Sequence, residues 1–296
     1  MVSGAFLMTT WVLLRGLMRD KRHWNGFDQR LRQRGCTVFT PDLPGNGSLT
    51  HQSSPLTIAE YASSVWLQLD EQLAGQAFYL LGLSMGGMLA MEMAKQRPEQ
   101  IKHLFVLNSS AANLSPWYQR FNGLNALRAW LNRCRGRQLN PIESTIVRLT
   151  SYRHRRDIAL IERWSRYRHE STPFFSNACR QLWAAFRYCC PASLPVPVSI
   201  LSGDRDALVN IQTSRALAQQ FKVELVVLAY CGHDITIDAP AKLAHYLFEI
   251  ISLEQGDGSA SFADCGDLLD EETAFHEARL VQSLPNYLSA LPTDVE

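Results

Sequence analysis

The sequence predicts an α/β protein with a mostly parallel sheet flanked by helices. Short apolar runs alternate with longer segments that carry apolar residues at helical spacing, and this alternation implies parallel strands covered by helices on both faces. The alternation stops after residue 110 and resumes at residue 195. The chain has 296 residues, of which 46% are hydrophobic and 19% are charged, so it can bury one sizeable core.

The predicted elements divide the chain into four parts. Strands are predicted at residues 10–14, 37–40, 78–81, 103–108, 196–202 and 223–229, and helices at 24–34, 58–73, 87–97, 211–221 and 241–251. Residues 111–194 contain no convincing β-run, whereas 124–131 and 158–164 have helical spacing. We therefore expect a core at 1–110 and 195–251, a helical insertion at 111–194, and an acidic C-terminal extension at 252–296.

Charge is divided unevenly between these parts. The chain as a whole has a formal net charge of +1, but the helical insertion holds fourteen arginines and no lysine against four acidic residues. Residues 252–296 hold one arginine against ten acidic residues. Such asymmetry marks surfaces that meet oppositely charged partners or each other.

Cysteine use and hydropathy indicate the compartment. The seven cysteines are odd in number and irregularly spaced, which argues against a disulfide framework and favours a reducing environment. Residues 4–14 lack the basic start and small-residue cleavage site of a signal peptide. No apolar run reaches the roughly 18 residues of a membrane span. We expect a soluble cytoplasmic protein without stable membrane insertion.

A serine on a glycine-rich turn is the clearest chemical signal. The pattern G-x-S-x-G at residues 82–86 follows an apolar run and opens a helix-like segment. A strained strand-to-helix turn of this kind exposes the serine oxygen for attack on a carbonyl. Ser84 is thus the candidate nucleophile, and the amide of Met85 is a candidate donor to developing negative charge. A glycine-rich turn with an ordinary serine is the alternative.

Polar residues after the last two predicted strands supply an acid and a base. Asp204 and Asp206 follow the strand at 196–202, and His233 follows the strand at 223–229. In open parallel sheets, functional residues lie beyond the carboxyl ends of the strands. The chain order of serine, acid and histidine is the one expected of a particular hydrolase fold.

These residues resemble the motifs of the α/β-hydrolase family, and specifically its serine esterases with a helical cap. The acid of the family lies in a G-x-x-D-x-x-V pattern, matched here at residues 203–209, and its histidine follows a glycine, as His233 does. The resemblance implies that Ser84 is the nucleophile, that Asp206 orients the imidazole, and that His233 is general base and then acid. Asp204 is the competing carboxylate, expected instead to brace the loop.

The resemblance also implies an oxyanion hole. The family usually has His-Gly after the first strand, and the next backbone amide donates to the oxyanion. This chain has Arg15 and Gly16 there, so the Leu17 amide is expected to act together with the Met85 amide. Arg15 is a candidate contact for an anionic substrate, and pairing with Asp42 or Asp20 is the alternative.

The family carries a cap domain at the position of the helical insertion, where cap residues set substrate choice. Nine apolar residues are candidates for an acyl pocket, although most are expected to form the core of the insertion: Trp117, Tyr118, Phe121, Leu124, Trp164, Phe174, Phe175, Trp183 and Phe186.

The function expected from these observations is hydrolysis of a carboxylic ester with a small or medium acyl group through an acyl-enzyme. One alternative is an esterase or thioesterase for acyl groups on an acidic carrier protein, similar to the pimeloyl-carrier methyl ester esterases. A non-catalytic binding module is another. A small-molecule ester is the expected partner, and no cofactor, metal or nucleic acid is expected, since the basic stretch carries no recognisable nucleic-acid motif.

Overall fold

The computed structural model describes residues 9–171 and 174–255. Six strands form one sheet: β1 (Thr10–Leu14), β2 (Thr37–Phe39), β3 (Phe78–Leu83), β4 (Ile101–Leu107), β5 (Val198–Gly203) and β6 (Leu225–Leu228). Their order in the sheet is β2-β1-β3-β4-β5-β6, and every neighbouring pair is parallel. The predicted fold class is confirmed.

The middle of the sheet is buried on both faces. All residues of β1, β3 and β5 are buried, which explains why these strands read as continuous apolar runs rather than alternating patterns. β3 is longer than the predicted run at 78–81, because Gly82 and Leu83 continue to pair with Val106 and Leu107 of β4.

Eleven α-helices are present in the described residues. They are α1 (Phe27–Arg32), α2 (Ile58–Leu73), α3 (Met85–Gln96), α4 (Trp117–Arg120), α5 (Gly123–Leu131), α6 (Pro141–Thr150), α7 (Ile158–Glu170), α8 (Phe175–Arg187), α9 (Ile211–Phe221), α10 (Ile235–Asp238) and α11 (Pro240–Glu254). The predictions at 58–73 and 211–221 match α2 and α9. α2 begins at a capping box, in which Thr57 accepts from the Glu60 amide and the Glu60 side chain accepts in return.

The sheet order reverses between β1 and β3. From β1 the chain moves outward to β2 and then returns to the other side of β1, so that the first strand lies between β2 and β3. Open α/β sheets bind ligands at such a switch point, beyond the carboxyl ends of the strands. The ends of β1 and β3 therefore mark the place to look for a site.

Helices α4 to α8 lie between β4 and β5, in the stretch of the predicted helical insertion. A small apolar cluster of Val147, Leu160, Ile161 and Trp164 holds α6 and α7 together. Within the residues that the structure covers, no helix is both long and apolar enough to cross a membrane.

The described residues 239–255 belong to a second compact unit. Its described part is α11, which begins with Pro240 at a first-turn position and ends at Glu254. The helix runs past the predicted end of the core at residue 251. Of the acidic C-terminal extension predicted at 252–296, residues 256–296 lie outside the described residues.

Candidate active site

Ser84 lies at the junction of β3 and α3 in a conformation that few side chains adopt. Its backbone φ is 59° and its ψ is −119°. Its amide donates to the Leu107 carbonyl over 2.8 Å, and its carbonyl accepts from the Gly87 amide over 2.9 Å. These bonds hold the strained turn in place, as a nucleophile elbow requires.

Two glycines allow the elbow to form. A β-carbon on Gly82 would overlap the Gly86 carbonyl, and a β-carbon on Gly86 would overlap the Leu14 carbonyl of β1. The backbone of the turn thus packs directly against the neighbouring strand. The turn can approach β1 this closely only because the G-x-S-x-G pattern places glycines at residues 82 and 86.

Asp206 and His233 are brought together by the loops after β5 and β6. Asp206 Oδ2 lies 2.7 Å from His233 Nδ1, and both side chains are nearly fully buried. The other carboxylate oxygen accepts from the amides of Leu208 and Val209 over 2.8 and 2.9 Å. The carboxylate is therefore fixed by its own loop and aimed at the imidazole.

The second nitrogen of the His233 ring has a different environment. Nε2 is buried and has no hydrogen-bond partner among the described residues, so the structure forms no hydrogen bond between His233 and Ser84. A buried ring nitrogen without a partner is costly in a purely structural histidine. A general base leaves that nitrogen available for the proton it removes, and its contact with the nucleophile is often looser without substrate.

Asn108 and Ser109, at the end of β4, lie between the serine and the histidine. Asn108 Nδ2 donates to the His233 carbonyl over 2.7 Å, and Ser109 Oγ donates to the Ser84 carbonyl over 2.8 Å. Asn108 Oδ1 accepts from the Gly203 amide over 2.9 Å. The buried Asn108 side chain thus joins the ends of three strands.

Sequence reasoning missed Asn108. Its φ of 45° is left-handed, and asparagine tolerates that region better than most residues. The available signal was an asparagine at the end of an apolar strand, but that pattern does not identify which distant loops the amide contacts.

The loop after β1 passes beside the proposed nucleophile. A β-carbon on Gly16 would lie 3.2 Å from Ser84 Cβ and 3.7 Å from Ser84 Oγ. The Arg19 amide donates to the Gly16 carbonyl over 3.3 Å, which closes a turn around Leu17. Met85, the other predicted donor, is the first residue of α3. Both predicted amides therefore belong to segments adjacent to Ser84.

Arg15 pairs with neither of the predicted carboxylates. Its Nη2 lies 2.7 Å from Asp234 Oδ2, and its guanidinium lies over the Trp24 ring. Arg15 therefore pairs with a carboxylate, as the alternative from the sequence expected, but the partner is Asp234, the neighbour of His233, and not Asp42 or Asp20. Arg15 is only 5% exposed, so a substrate anion would have to displace a buried carboxylate to reach it.

The Arg15 pair also sets the charge state of its partner. Burial by itself would raise the pKa of Asp234, but the charge and hydrogen bonds of Arg15, with the Thr236 hydroxyl, lower that pKa below its ordinary value. Asp234 therefore stays ionised. The ion pair ties the segment before Gly16 to the loop that carries His233.

The carboxylates that do not pair with Arg15 brace turns. Asp42 accepts from the Lys21 amide over 2.9 Å and from the Ser48 hydroxyl over 2.8 Å. Asp204 accepts from the Cys231 amide over 3.2 Å, which agrees with the bracing role expected for it.

A second buried charge cluster connects the loop after β1 to the helical insertion. Glu143 of α6 accepts from Arg19 over 2.7 Å and from Arg168 of α7. Burial would raise the pKa of Glu143, but the charges of Arg19 and Arg168 lower it. His23 lies 3.0 Å from Arg19, and burial together with that charge lowers the pKa of the imidazole.

A cavity of about 10 Å³ adjoins this cluster and is lined by Arg19, His23, Glu143 and Arg168 among others. That volume holds roughly one water molecule, so the cavity is too small for a substrate. Within the described ranges, no three His, Cys, Asp or Glu side chains gather as a metal site requires.

Most of the apolar candidates in the helical insertion do not form its core. Trp164 is buried, as expected. The other eight are not: Trp117, Tyr118, Phe121, Leu124, Phe174, Phe175, Trp183 and Phe186 are all exposed large hydrophobic residues. The expectation that most would be buried is wrong. For Phe175, Trp183 and Phe186 the reason lies in α8, which buries Asn177 and Gln181 on its inward side instead.

Comparison with known proteins identifies the family. A model described as the alpha/beta hydrolase fold matches residues 12–240, which is more than half of the chain. The chain belongs to the alpha/beta hydrolase fold family. The matched region includes Ser84, Asp206 and His233.

Known relatives of this alpha/beta hydrolase match it over different lengths. The chain spans 28% of the length of an uncharacterized Mycobacterium tuberculosis protein, at 31% identity over 98 residues that cover 33% of this chain. A 2-hydroxymuconate semialdehyde hydrolase from Pseudomonas sp. is 26% identical over 233 residues, which cover 73% of this chain and 76% of that protein. A pimeloyl-[acyl-carrier protein] methyl ester esterase from Aeromonas salmonicida is 35% identical over 102 residues, which cover 33% and 37%.

A thermophilic esterase from Thermogutta terrifontis is a solved structure of similar fold. Its TM-score is 0.65 at 20% sequence identity, and the match covers 82% of this chain and 89% of that chain. At this identity the similarity establishes the fold of this alpha/beta hydrolase and nothing finer.

Proposed function

We propose that the chain is a serine hydrolase that cleaves a carboxylic ester of a small or medium acyl group through an acyl-enzyme. The observation that carries the proposal is the buried contact between His233 Nδ1 and Asp206 Oδ2, with Nε2 of the same ring left without a partner in the described residues. An imidazole oriented on one side and available on the other is what a general base needs.

The proposed reaction begins with His233 Nε2 taking the proton of the Ser84 hydroxyl as that oxygen attacks the ester carbonyl. Asp206 holds the ring with its proton on Nδ1 and stabilises the imidazolium that forms. The amides of Leu17 and Met85 donate to the oxyanion. His233 then protonates the leaving alcohol, and a water molecule activated by the same nitrogen releases the acid and restores Ser84.

We further propose that the helical insertion is the cap that sets substrate choice. Two contacts support this role. Gln181 of α8 accepts from the Met18 amide over 2.8 Å, and the Thr150 carbonyl at the end of α6 accepts from the Asp234 amide over 2.8 Å. The insertion therefore touches the loop next to Leu17 and the loop that carries His233.

A second candidate function is hydrolysis of an acyl ester or thioester presented by an acidic carrier protein. Nine of the fourteen arginines of the insertion are exposed, and none of the nine forms an ion pair with a described residue. They are Arg128, Arg135, Arg137, Arg153, Arg155, Arg156, Arg163, Arg166 and Arg187. The pimeloyl-[acyl-carrier protein] methyl ester esterase among the relatives agrees with this candidate over a third of the chain.

The proposed location is the cytoplasm. All six cysteines in the described residues are free thiols, which is typical of a reducing compartment.

A fluorophosphonate probe tests the nucleophile. We expect labelling of the native chain, loss of labelling in Ser84→Ala and strong reduction in His233→Ala, because the probe reacts with an activated serine oxygen. Ser63→Ala is the matched control, since Ser63 is an exposed serine of α2. Undiminished labelling of Ser84→Ala would place the nucleophile elsewhere.

A panel of esters and thioesters of graded acyl length then separates the two candidate functions. We expect short free esters to be hydrolysed without a carrier. Hydrolysis only of carrier-linked acyl groups would favour the second candidate.

A further inference from the structure

Helix α8 is turned with its polar face inward. Asn177 and Gln181 are buried, and Gln181 is 0% exposed. Asn177 Oδ1 accepts from the Ser54 amide over 2.8 Å, and Gln181 Nε2 donates to Asn46 Oδ1 over 2.9 Å. The hydrogen bonds of this face attach α8 to the loop after β2. Its amphipathic pattern is the reverse of that of an ordinary surface helix, which packs its apolar face inward.

The outward face of α8 carries an apolar stripe. Phe175, Cys179, Leu182 and Phe186 follow one another at intervals of four, three and four residues, and all four are exposed. Phe175 is 84% exposed. Trp183 lies next to the stripe, and the Arg187 guanidinium lies 5.3 Å from its ring centroid. This face has no covering element among the described residues.

Helix α5 also exposes a row of apolar side chains, with an arginine on the same face. Leu124, Leu127 and Leu131 share one face by their spacing of three and four residues, and each is more than half exposed. Arg128 is exposed on the same face. Ala129 is the buried residue of this helix, so the large side chains are the ones that point outward.

Helix α4 joins the two faces. Trp117 is 64% exposed and Tyr118 is 60% exposed. Arg120 donates from Nη1 and Nη2 to the carbonyls of Phe186 and Ala185, which places α4 beside the end of α8. α5 begins two residues after Phe121. We call the exposed apolar side chains of α4, α5 and α8 the apolar insertion surface.

This surface adjoins the loops of the proposed site. The Asn122 amide donates to the Leu208 carbonyl over 2.9 Å, and Asn125 Nδ2 donates to the Ala207 carbonyl over 3.0 Å. These carbonyls lie one and two residues beyond Asp206. On the other side, Gln181 bonds to the Met18 amide. A substrate released from a partner bound to the apolar insertion surface would therefore be close to the loops that carry Asp206 and Leu17.

We propose that the apolar insertion surface docks the protein peripherally on an anionic phospholipid bilayer, from which a sparingly water-soluble ester enters the site. The inference rests on the proposed ester hydrolysis and names its substrate class. Exposed Trp, Phe and Leu side chains insert into the interface between headgroups and acyl chains, while arginines attract anionic headgroups.

The exposed apolar side chains, rather than the arginines, favour a lipid surface over an acidic protein. The nine exposed arginines without ion pairs would serve either partner. The large apolar side chains, however, stand out on three helices and reach 84% exposure, and recognition by charge alone would leave them in water. A surface with an apolar layer beneath an anionic one buries both kinds of side chain at once.

Vesicle flotation with the full chain tests the proposal. Vesicles of phosphatidylcholine alone are compared with vesicles that also contain phosphatidylglycerol. We expect binding to the anionic vesicles at least tenfold stronger than to the neutral ones. Phe175→Ser/Trp183→Ser/Phe186→Ser is expected to weaken the binding to anionic vesicles at least tenfold, because three interfacial side chains are lost.

A second variant tests the charges. Arg128→Gln/Arg187→Gln is expected to weaken binding roughly 25-fold, since each arginine near an anionic surface contributes about fivefold. The matched controls are Leu56→Ser/Leu67→Ser/Val227→Ser for the apolar change and Arg215→Gln/Lys222→Gln for the charge change. All five control positions are exposed but lie outside the insertion, and each control is expected to change binding less than twofold.

Any of four results would overturn the proposal. The native chain fails to float with anionic vesicles, a control weakens binding as much as its matched variant, or the arginine variant alone weakens binding while the apolar variant does not. The last result would point to recognition by charge, as for an acidic carrier protein. A dimer in solution that the apolar variant dissociates, without vesicle binding, would also contradict it.

Hydrolysis of a short water-soluble ester separates this inference from the proposed function. We expect the apolar variant to hydrolyse such an ester at the native rate, because Phe175, Trp183 and Phe186 are exposed on the outward side of α8 and so do not line the acyl pocket for which the sequence made them candidates. Normal hydrolysis without vesicle binding would remove the docking proposal and leave the esterase proposal standing. Absence of hydrolysis in the native chain would remove the esterase proposal itself.

Discussion

The carboxyl edge of the sheet and the outer side of the helical insertion treat polar and apolar groups in opposite ways. At the sheet edge, charged and amide side chains are buried and paired, as with Arg15 and Asp234 or Asn108 and the strand ends. On α5 and α8, large apolar side chains are exposed and the nearby arginines have no ion-pair partner in the described residues. In the first region the buried atom left for a substrate is His233 Nε2, whereas in the second region whole side chains are left without a partner among the described residues. This difference agrees with the proposals that the sheet edge catalyses the reaction and that the insertion recognises a partner surface.

The largest expected effect comes from a substitution among the proposed catalytic residues at the sheet edge. Asp206→Asn should lower kcat for a soluble ester by about 10³ to 10⁴-fold, because an amide no longer holds the imidazole in the correct tautomer. Steady-state kinetics measures this. Asp204→Asn is the matched control and should retain most of the activity, since Asp204 accepts from Cys231 and does not contact His233. Equal losses in the two variants would contradict the assignment of the acid.

The next effect tests the buried ion pair. Arg15→Met should lower the free energy of unfolding by about 3 to 5 kcal/mol, because it leaves the charge of Asp234 buried and unpaired. The double variant Arg15→Met/Asp234→Asn should recover much of that loss. Urea denaturation followed by circular dichroism measures both, and Arg163→Met serves as an exposed control. An unchanged stability together with a raised KM would instead make Arg15 a substrate-binding residue.

The smallest expected effect concerns pH. The pKa of buried His23 is lowered, so the unfolded chain binds a proton near pH 6.5 that the folded chain does not. Stability should therefore fall as pH drops below about 6.5, by at most about 1.4 kcal/mol per pH unit. His23→Gln should reduce this slope. Equal slopes in the native chain and His23→Gln, measured by denaturation between pH 5 and pH 7, would show that His23 carries no such linkage.

The fold could be predicted from the sequence to a large extent because its strands are buried on both faces. β1 appears as five consecutive buried residues, and the apolar run at 10–14 already identifies it. The steric needs of the elbow likewise appear as glycines at fixed spacing around Ser84. These patterns can be read from the sequence because each depends on residues that are close together along the chain.

The pairing of buried charges could not be predicted. Asp234 is distant in sequence from Arg15, and Asp20 and Asp42 were equally plausible partners until the ends of the strands were placed together. Which face of α8 points inward could not be predicted from the sequence either. Its apolar spacing predicts a buried stripe, and only the contacts of Asn177 and Gln181 show that the polar face is the inward one.

The proposed acyl-enzyme is tested most directly by rapid quenching during turnover of p-nitrophenyl butyrate, followed by mass spectrometry of the digested chain. We expect a burst of p-nitrophenol with a stoichiometry near that of the enzyme, and a butyryl group on the peptide that contains Ser84. Turnover with the acyl group on a different residue, or with no acylated peptide and undiminished activity in Ser84→Ala, would contradict it.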